Sequence, residues 1–235
     1  LTVHCIAYNH ERYISKALDG ILMQKTKYSF EILVHDDAST DCTQSILRKY
    51  EKKFPNIFHI IYQSENQYSK NPKTIQCIMI ENAKGKYSMA CECDDYWTDD
   101  LKIEKQIGFL ESHPEYSMVF HPVKFVGNVG MMKDDRKYMQ ERDISVEQII
   151  EGGGNFCASA SICFRTKFDK MLPDYFYSTL MGDYPRQIFL ATQGKIRYMP
   201  ELMGCYRVGE NGSWTQDMKS NIKKQISHWK EEMKW

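Results

Sequence analysis

The run VHCIAYNHERYISKALDGILMQKTKYSFEILVHDD, residues 3–37, decides the fold. Its opening, with the two residues before it, reads LTVHCIAY, a short apolar run of strand length. Tyr13, Ile14, Ala17, Leu18, Ile21 and Leu22 then recur at three- and four-residue spacing, which lines one face of a helix. FEILVHD follows, rich in the residues that strands prefer. Strand, helix, strand is the unit that builds a parallel sheet.

The same alternation continues outward. A helix from about Asp41 carries Ile46, Leu47, Tyr50 and Phe54, then come a strand near IFHIIY, a helix through IQCIMIENAKG and a strand at YSMACE. Asp41 and Gln44 have capping-box spacing at the start of the first of these helices. Beyond residue 100, Ile103, Ile107 and Leu110 mark a helix, and YSMVFHPVKFVG reads as strand and turn. Residues 129–142 are charged, Met-rich and aperiodic, a surface excursion.

GGGNFCASASICFRTKF gives a glycine run and a strand, GDYPRQIFLATQGK a loop and helix, and IRYMPELMGCYRV two short strands. Met218, Ile222, Ile226, Trp229 and Met233 share one face of a terminal helix, expected to pack on its own domain. The expectation is one α/β domain over residues 1–235, with a mostly parallel central sheet flanked by helices on both faces.

Lys plus Arg and Asp plus Glu balance at 31 each, which excludes a broad positive field for nucleic acid or an anionic membrane. No apolar run is long enough to span a membrane, and the chain opens directly on a strand, as an excised domain would. The expected location is cytoplasmic, with peripheral attachment at the inner face of the membrane left open. The eight cysteines are scattered through apolar runs and read as reduced, buried thiols. Cys91 and Cys93 alternate along one strand with no second ligand pair downstream, so core packing is expected of them rather than zinc.

In a parallel sheet the loops at the carboxyl ends of the strands converge on one crevice. AYNHE, HDDAST and CECDDYW stand at three such ends. Asn9 has two readings there, as a helix cap or as a ligand contact. Asp36 and Asp37 are adjacent carboxylates that repel unless a group with N–H or O–H donors, such as a nucleobase or ribose, lies between them and solvent. Glu92 and Asp94 point the same way on an extended segment, so their oxygens can share one hard cation, Mg2+ or Mn2+. Asp99 and Asp100 read as the start of the next helix. Trp97 and Tyr96 are read first as core and second as a sugar platform, and His121 as structural.

No P-loop, no GxGxxG after the first strand and no Ser-centred elbow is present, so NTPase, dehydrogenase and hydrolase chemistry lack their central parts.

Three ordered motifs carry a resemblance. VHCIAYNHERYISKALDGILMQ, FEILVHDDASTDCT and CECDDYWTDDLKIEKQIGFLE, with the later GDYPRQIFLATQGK and YRV, resemble the inverting glycosyltransferases of family 2 and their Rossmann-like GT-A fold. The resemblance implies a donor-binding half over residues 1–100 and an acceptor-binding half over 101–235. It implies that Ala7, Tyr8 and Asn9 border the nucleobase, that Asp36, Asp37, Asp94 and Asp95 belong to the nucleotide-sugar site, and that Asp94, with Glu92, holds the divalent ion. Asp183 would be the catalytic base, although its residue type also suits an N-cap.

Two departures stand out: Glu92 occupies the first acid position of the family's DxD motif, and Gly209 stands where some relatives carry a histidine. The implied activity is metal-dependent transfer of a sugar, with UDP as the expected carrier, to a hydroxyl of a glycan or lipid-linked saccharide. The rivals are a sugar nucleotidyltransferase, which would need a Gly-rich basic loop where AYNHERY stands, and a non-catalytic nucleotide- or saccharide-binding module.

Overall fold

The computed structural model describes residues 1–127, 133–178 and 182–209. The terminal apolar face, with Trp214 and Trp229, lies outside those residues.

The first half follows the periodicity. Strands β1 (Thr2–Ala7), β2 (Glu31–Asp36), β3 (Phe58–Tyr62) and β4 (Tyr87–Ala90) alternate with helices α1 (Ile14–Leu22), α2 (Thr43–Lys53) and α3 (Pro72–Asn82). β5 (Tyr96–Trp97), α4 (Lys102–Ser112), β6 (Tyr116–Phe120), β7 (Lys124–Gly127), β8 (Arg142–Ile144), α5 (Val146–Gly152), β9 (Cys163–Arg165), α6 (Asp174–Ser178), α7 (Asp183–Gln193), β10 (Lys195–Tyr198) and β11 (Gly204–Val208) follow.

Eight strands form one sheet in the order β3-β2-β1-β4-β9-β6-β10-β8. β1, β2, β3 and β4 run parallel, as do β6 and β10, while β9 enters antiparallel between β4 and β6. Side-chain alternation loads both faces. Val3, Cys5, Ile32 and Val34 pack with Ile14, Leu18, Leu47 and Ile107, whereas Leu33 and Ile6 meet Ile75 and Met79 of α3. Further along, Met118, Phe120 and Ile196 pack with Ile149 and Leu190 of α5 and α7.

A second, three-stranded sheet, β5-β11-β7, was not foreseen. It matters for the site, because β5 continues directly from the acidic turn. Three local expectations also change. Asp41 and Gln44 form no capping box: the Asp41 carboxylate accepts from the Thr43 and Glu11 amides, and the Gln44 amide reaches Asp36 instead. A capping box does form at Ser145 and Gln148, which starts α5. Asp183 is the first residue of α7 but does not cap it; Gly182 is the N-cap and no side chain closes that helix end.

Candidate active site

Strand order reverses between β1 and β4, and the crevice above their carboxyl ends is where a parallel sheet receives ligands. β1 ends at Ala7, whose carbonyl accepts the Asp37 amide at 2.9 Å. Tyr8 follows at 45% exposure, on the mouth of the crevice. Asn9 adopts the left-handed conformation, φ 56°, that its short polar side chain tolerates. Its Oδ1 accepts from the Thr40 amide at 2.8 Å, so it ties the first loop to the second rather than capping α1.

Asp36 and Asp37 are both buried. Asp36 Oδ2 accepts from the Ser39 amide and from Gln44 Nε2. Asp37 uses both oxygens on the loop after β3, taking the Gln67 amide at 2.7 Å and the Tyr68 amide at 3.0 Å. Adjacent repulsion is therefore relieved by backbone and amide donors within the fold. Any nucleoside contact to Asp37 must share its carboxylate with this loop.

On the other wall, residues 91–93 prolong β4 along β1, with Cys91 and Cys93 amides donating to His4 and Ile6 carbonyls. Alternation buries Cys91, Cys93 and Asp95 and leaves Glu92 and Asp94 half-buried on the same side, as read from the sequence. The two thiols are core, yet Cys93 is held down to about 7 by a hydrogen bond with Cys5, with His10 adding to the effect against the cost of burial. Asp95 turns inward. Its Oδ1 accepts the Arg207 amide at 2.7 Å, and Arg207 Nε reaches the Asp94 carbonyl at 2.9 Å, so β11 is fastened onto the acidic turn.

The carboxylates of Glu92 and Asp94 accept no hydrogen bond among the described residues. Burial, then the charge of Asp94, then that of Asp183, push the Glu92 carboxyl up to about 8. Asp183 is therefore near enough for its charge to act on Glu92, although 91 positions separate the two in the chain. Asp183 stands half-buried at the start of α7, and Ser159 Oγ donates to its Oδ2 at 3.2 Å. At Gly182, the residue before it, the Gln76 side-chain amide of α3 stands where a Cβ would lie.

Lys73, also on α3, holds its ammonium 4.3 Å from the Phe176 ring centroid; burial and the Arg186 charge pull it down to about 8, while Asp183 acts in the opposite direction. Ser159 and Lys73 have no signal in the sequence: Ser159 falls in GGGNFCASASICFRTKF, which reads as a glycine run and a strand, and Lys73 precedes the helix read through IQCIMIENAKG. Trp97 is 2% exposed and belongs to the core, and His121, buried with Nδ1 donating to the Pro122 carbonyl, is structural. Asp99 accepts the Leu101 amide and so serves the start of α4.

No group of three or more His, Cys, Asp or Glu side chains is gathered for a metal ion among the described residues. Two neighbouring carboxylates, of which Asp94 raises the proton affinity of Glu92 and neither of which has a donor among the described residues, still fit a cation whose remaining ligands come from a diphosphate. No helix among the described residues is long and apolar enough to cross a membrane.

Among solved structures, Staphylococcus aureus TarS 1–349 in complex with UDP-GlcNAc superposes with a TM-score of 0.69 at 20% identity, covering 92% of this chain and 60% of that one. The mannosyltransferase PcManGT of Pyrobaculum calidifontis, in complex with GDP-Man and Mn2+, gives 0.68 at 15% identity, over 100% of this chain and 64% of its own. These likenesses speak for the fold, which is GT-A.

An uncharacterized Mycobacterium tuberculosis protein, Rv1520, is 33% identical over 216 residues, 91% of this chain and 60% of its own length. The poly(ribitol-phosphate) beta-glucosyltransferase of Bacillus spizizenii is 38% identical over 90 residues, 38% of this chain and 14% of its own. The chain thus spans about 60% of the mycobacterial relative. The family model for Glycosyl transferase family 2 matches residues 2–172, and with that match over most of its length the chain belongs to glycosyl transferase family 2.

Proposed function

We propose that this domain moves a sugar from a nucleotide donor, UDP-linked, to a hydroxyl of a glycan or lipid-linked saccharide, with inversion at the anomeric carbon. The observation that carries the reading is that Glu92 and Asp94 stand together at the carboxyl end of β4, within electrostatic reach of Asp183 at the start of α7. Metal acids belong at a diphosphate and a general base at an acceptor hydroxyl, and the anomeric carbon must lie between them. UDP and UDP-GlcNAc bound to TarS support the choice of carrier, and Mn2+ in PcManGT supports the cation.

Glu92 and Asp94 would hold Mn2+ or Mg2+. When bound, such an ion supplies Lewis-acid stabilisation of a diphosphate leaving group. The chain's own residues do the rest. Tyr8 and the Asn9–Thr40 tie shape the nucleoside end, with Asp37 holding the 67–68 amides there. Ser159 occupies Asp183 Oδ2 and orients the carboxylate, which leaves Oδ1 to take the acceptor proton. The new bond from acceptor oxygen to anomeric carbon forms as the bond to the phosphate oxygen breaks. One displacement without a second nucleophile inverts the centre.

The test is a panel of UDP-glucose, UDP-GlcNAc, GDP-mannose and a dTDP-sugar with Mn2+ or Mg2+, measured for binding and for slow donor hydrolysis. Metal-dependent binding of one donor, lost in Asp94→Ala and kept in Asp183→Asn, is expected. Asp183→Asn should lower turnover by ~10²–10⁴-fold. A protein that binds none of these donors, with or without metal, would overturn the proposal.

A further inference from the structure

Tyr206 lies on β11, one residue before the arginine that fastens this strand to the acidic turn. β11 also lies against the Ser159–Ser161 turn, whose Ser159 holds Asp183. The strand therefore bridges the two parts of the candidate active site. Alternation puts Tyr206 on the face opposite Cys205 and Arg207, beside its register partner Phe125, with the two rings edge to face at 6.2 Å. The negative charges of Glu92, Asp95, Asp183 and Asp94 act on it from the acidic side of the site. Its hydroxyl makes no hydrogen bond among the described residues.

Resting on the transferase reading above, we propose that Tyr206 is a catalytic residue whose hydroxyl donates a hydrogen bond to the phosphate oxygen that leaves the anomeric carbon. A phenol suits that position. It is neutral and a donor at ordinary pH, so it adds no positive charge to compete with a cation and no negative charge to repel a diphosphate. As the carbon–oxygen bond breaks, its electron pair stays on the phosphate oxygen, and the acceptor proton goes to Asp183. Tyr206 keeps its own proton and offers it to the growing charge, an interaction stronger in the transition state than in the ground state.

The experiment compares the full-length wild-type chain with Tyr206→Phe and Phe125→Leu. It measures UDP binding, hydrolysis of the UDP-glucose and UDP-GlcNAc probes with Mn2+, and the melting midpoint. Tyr206→Phe keeps the ring and should bind UDP within about twofold of wild type while kcat falls ~10–100-fold, less than the loss for a main oxyanion donor. Phe125→Leu keeps the hydroxyl but loosens the ring and should fall between the two.

A Tyr206→Phe enzyme that hydrolyses donor at the wild-type rate overturns the role of Tyr206 alone. So does one whose UDP affinity drops as far as its rate, because the hydroxyl would then act in ground-state binding. A wild type that binds no nucleotide overturns the transferase reading itself, and this proposal with it.

Discussion

Asp95 and Arg207, 112 positions apart, are joined by a hydrogen bond of 2.7 Å from the Arg207 amide to the buried Asp95 carboxylate. The bond docks the small sheet onto the acidic turn. The other carboxylate oxygen, Oδ2, is buried without a partner among the described residues, and burial followed by the charges of Asp94 and Glu92 pushes this carboxyl well above the ordinary range. The acceptor is thus useful and the negative charge is a cost. Asp95→Asn should keep the acceptor and lose the charge, with a melting midpoint equal to or above wild type. Asp95→Ala should orphan the amide and destabilise by ~1–3 kcal/mol. Thermal denaturation of both variants decides, and an Asn variant no better than Ala would refute the account.

Asp37 poses the opposite case, since both of its oxygens accept backbone amides. Asp37→Ala would leave the Gln67 and Tyr68 amides unmatched, at a cost of ~2–4 kcal/mol. The loop after β3 would loosen next to the nucleoside end of the crevice. Hydrogen exchange should speed up at residues 66–69, and UDP affinity should fall with it. Unchanged exchange there would show that the loop does not depend on Asp37.

Gly20 faces Trp97, and a Cβ at this position would stand 2.8 Å from the Trp97 carbonyl oxygen, a backbone atom that cannot swing aside. Gly20→Ala should cost ~1–3 kcal/mol and displace β5, with a loss of donor binding at the neighbouring acids. Gly108 is the control. Its nearest neighbour would be the Tyr28 hydroxyl at 3.7 Å, so Gly108→Ala in α4 should stabilise by ~0.5–1 kcal/mol. Equal melting midpoints for the two variants would rule out the packing explanation.

β1, α1 and β2 were legible because burial follows periodicity: Ile14, Ala17, Leu18 and Ile21 are buried as their spacing demands. Glu92 and Asp94 were legible for a similar reason, being alternate residues on an extended segment. What escaped reading depends on contacts between distant segments. β9 has only three residues, and nothing in Cys163–Arg165 announces that it will pair antiparallel between β4 and β6. β5 has two residues and looks like the end of an acidic loop until β11 pairs with it. Gln44 has the right spacing for a capping box but meets a stronger partner in the buried Asp36 carboxylate, 2.6 Å away. The approach of Tyr206 and Ser159 to the acids has no local signal, since it follows from where β11 docks.

Glu92 gives the site a pH dependence whose sign can be worked out. Its carboxyl takes up a proton near 4.5 ordinarily and near 8 in the fold, burial being the first cause and Asp94 the second. Between those values the folded state holds a proton that the unfolded chain has lost, so this group's contribution to stability falls as pH rises and is fully lost above about 8. Buried His4, held down to about 3 against an ordinary 6.5, works in the other direction over the lower part of that range. The useful quantity is therefore the difference between wild type and Glu92→Gln. The variant should gain on wild type in melting midpoint steadily from pH 5 to 8. A cation at Glu92 must displace that same proton, so Mn2+ should bind more tightly as pH rises from 6 to 8 and release a proton into the buffer. Calorimetry in two buffers of different ionisation enthalpy reads that release directly. Mn2+ binding that is independent of pH, with no proton released, would show that Glu92 takes no part in holding the ion.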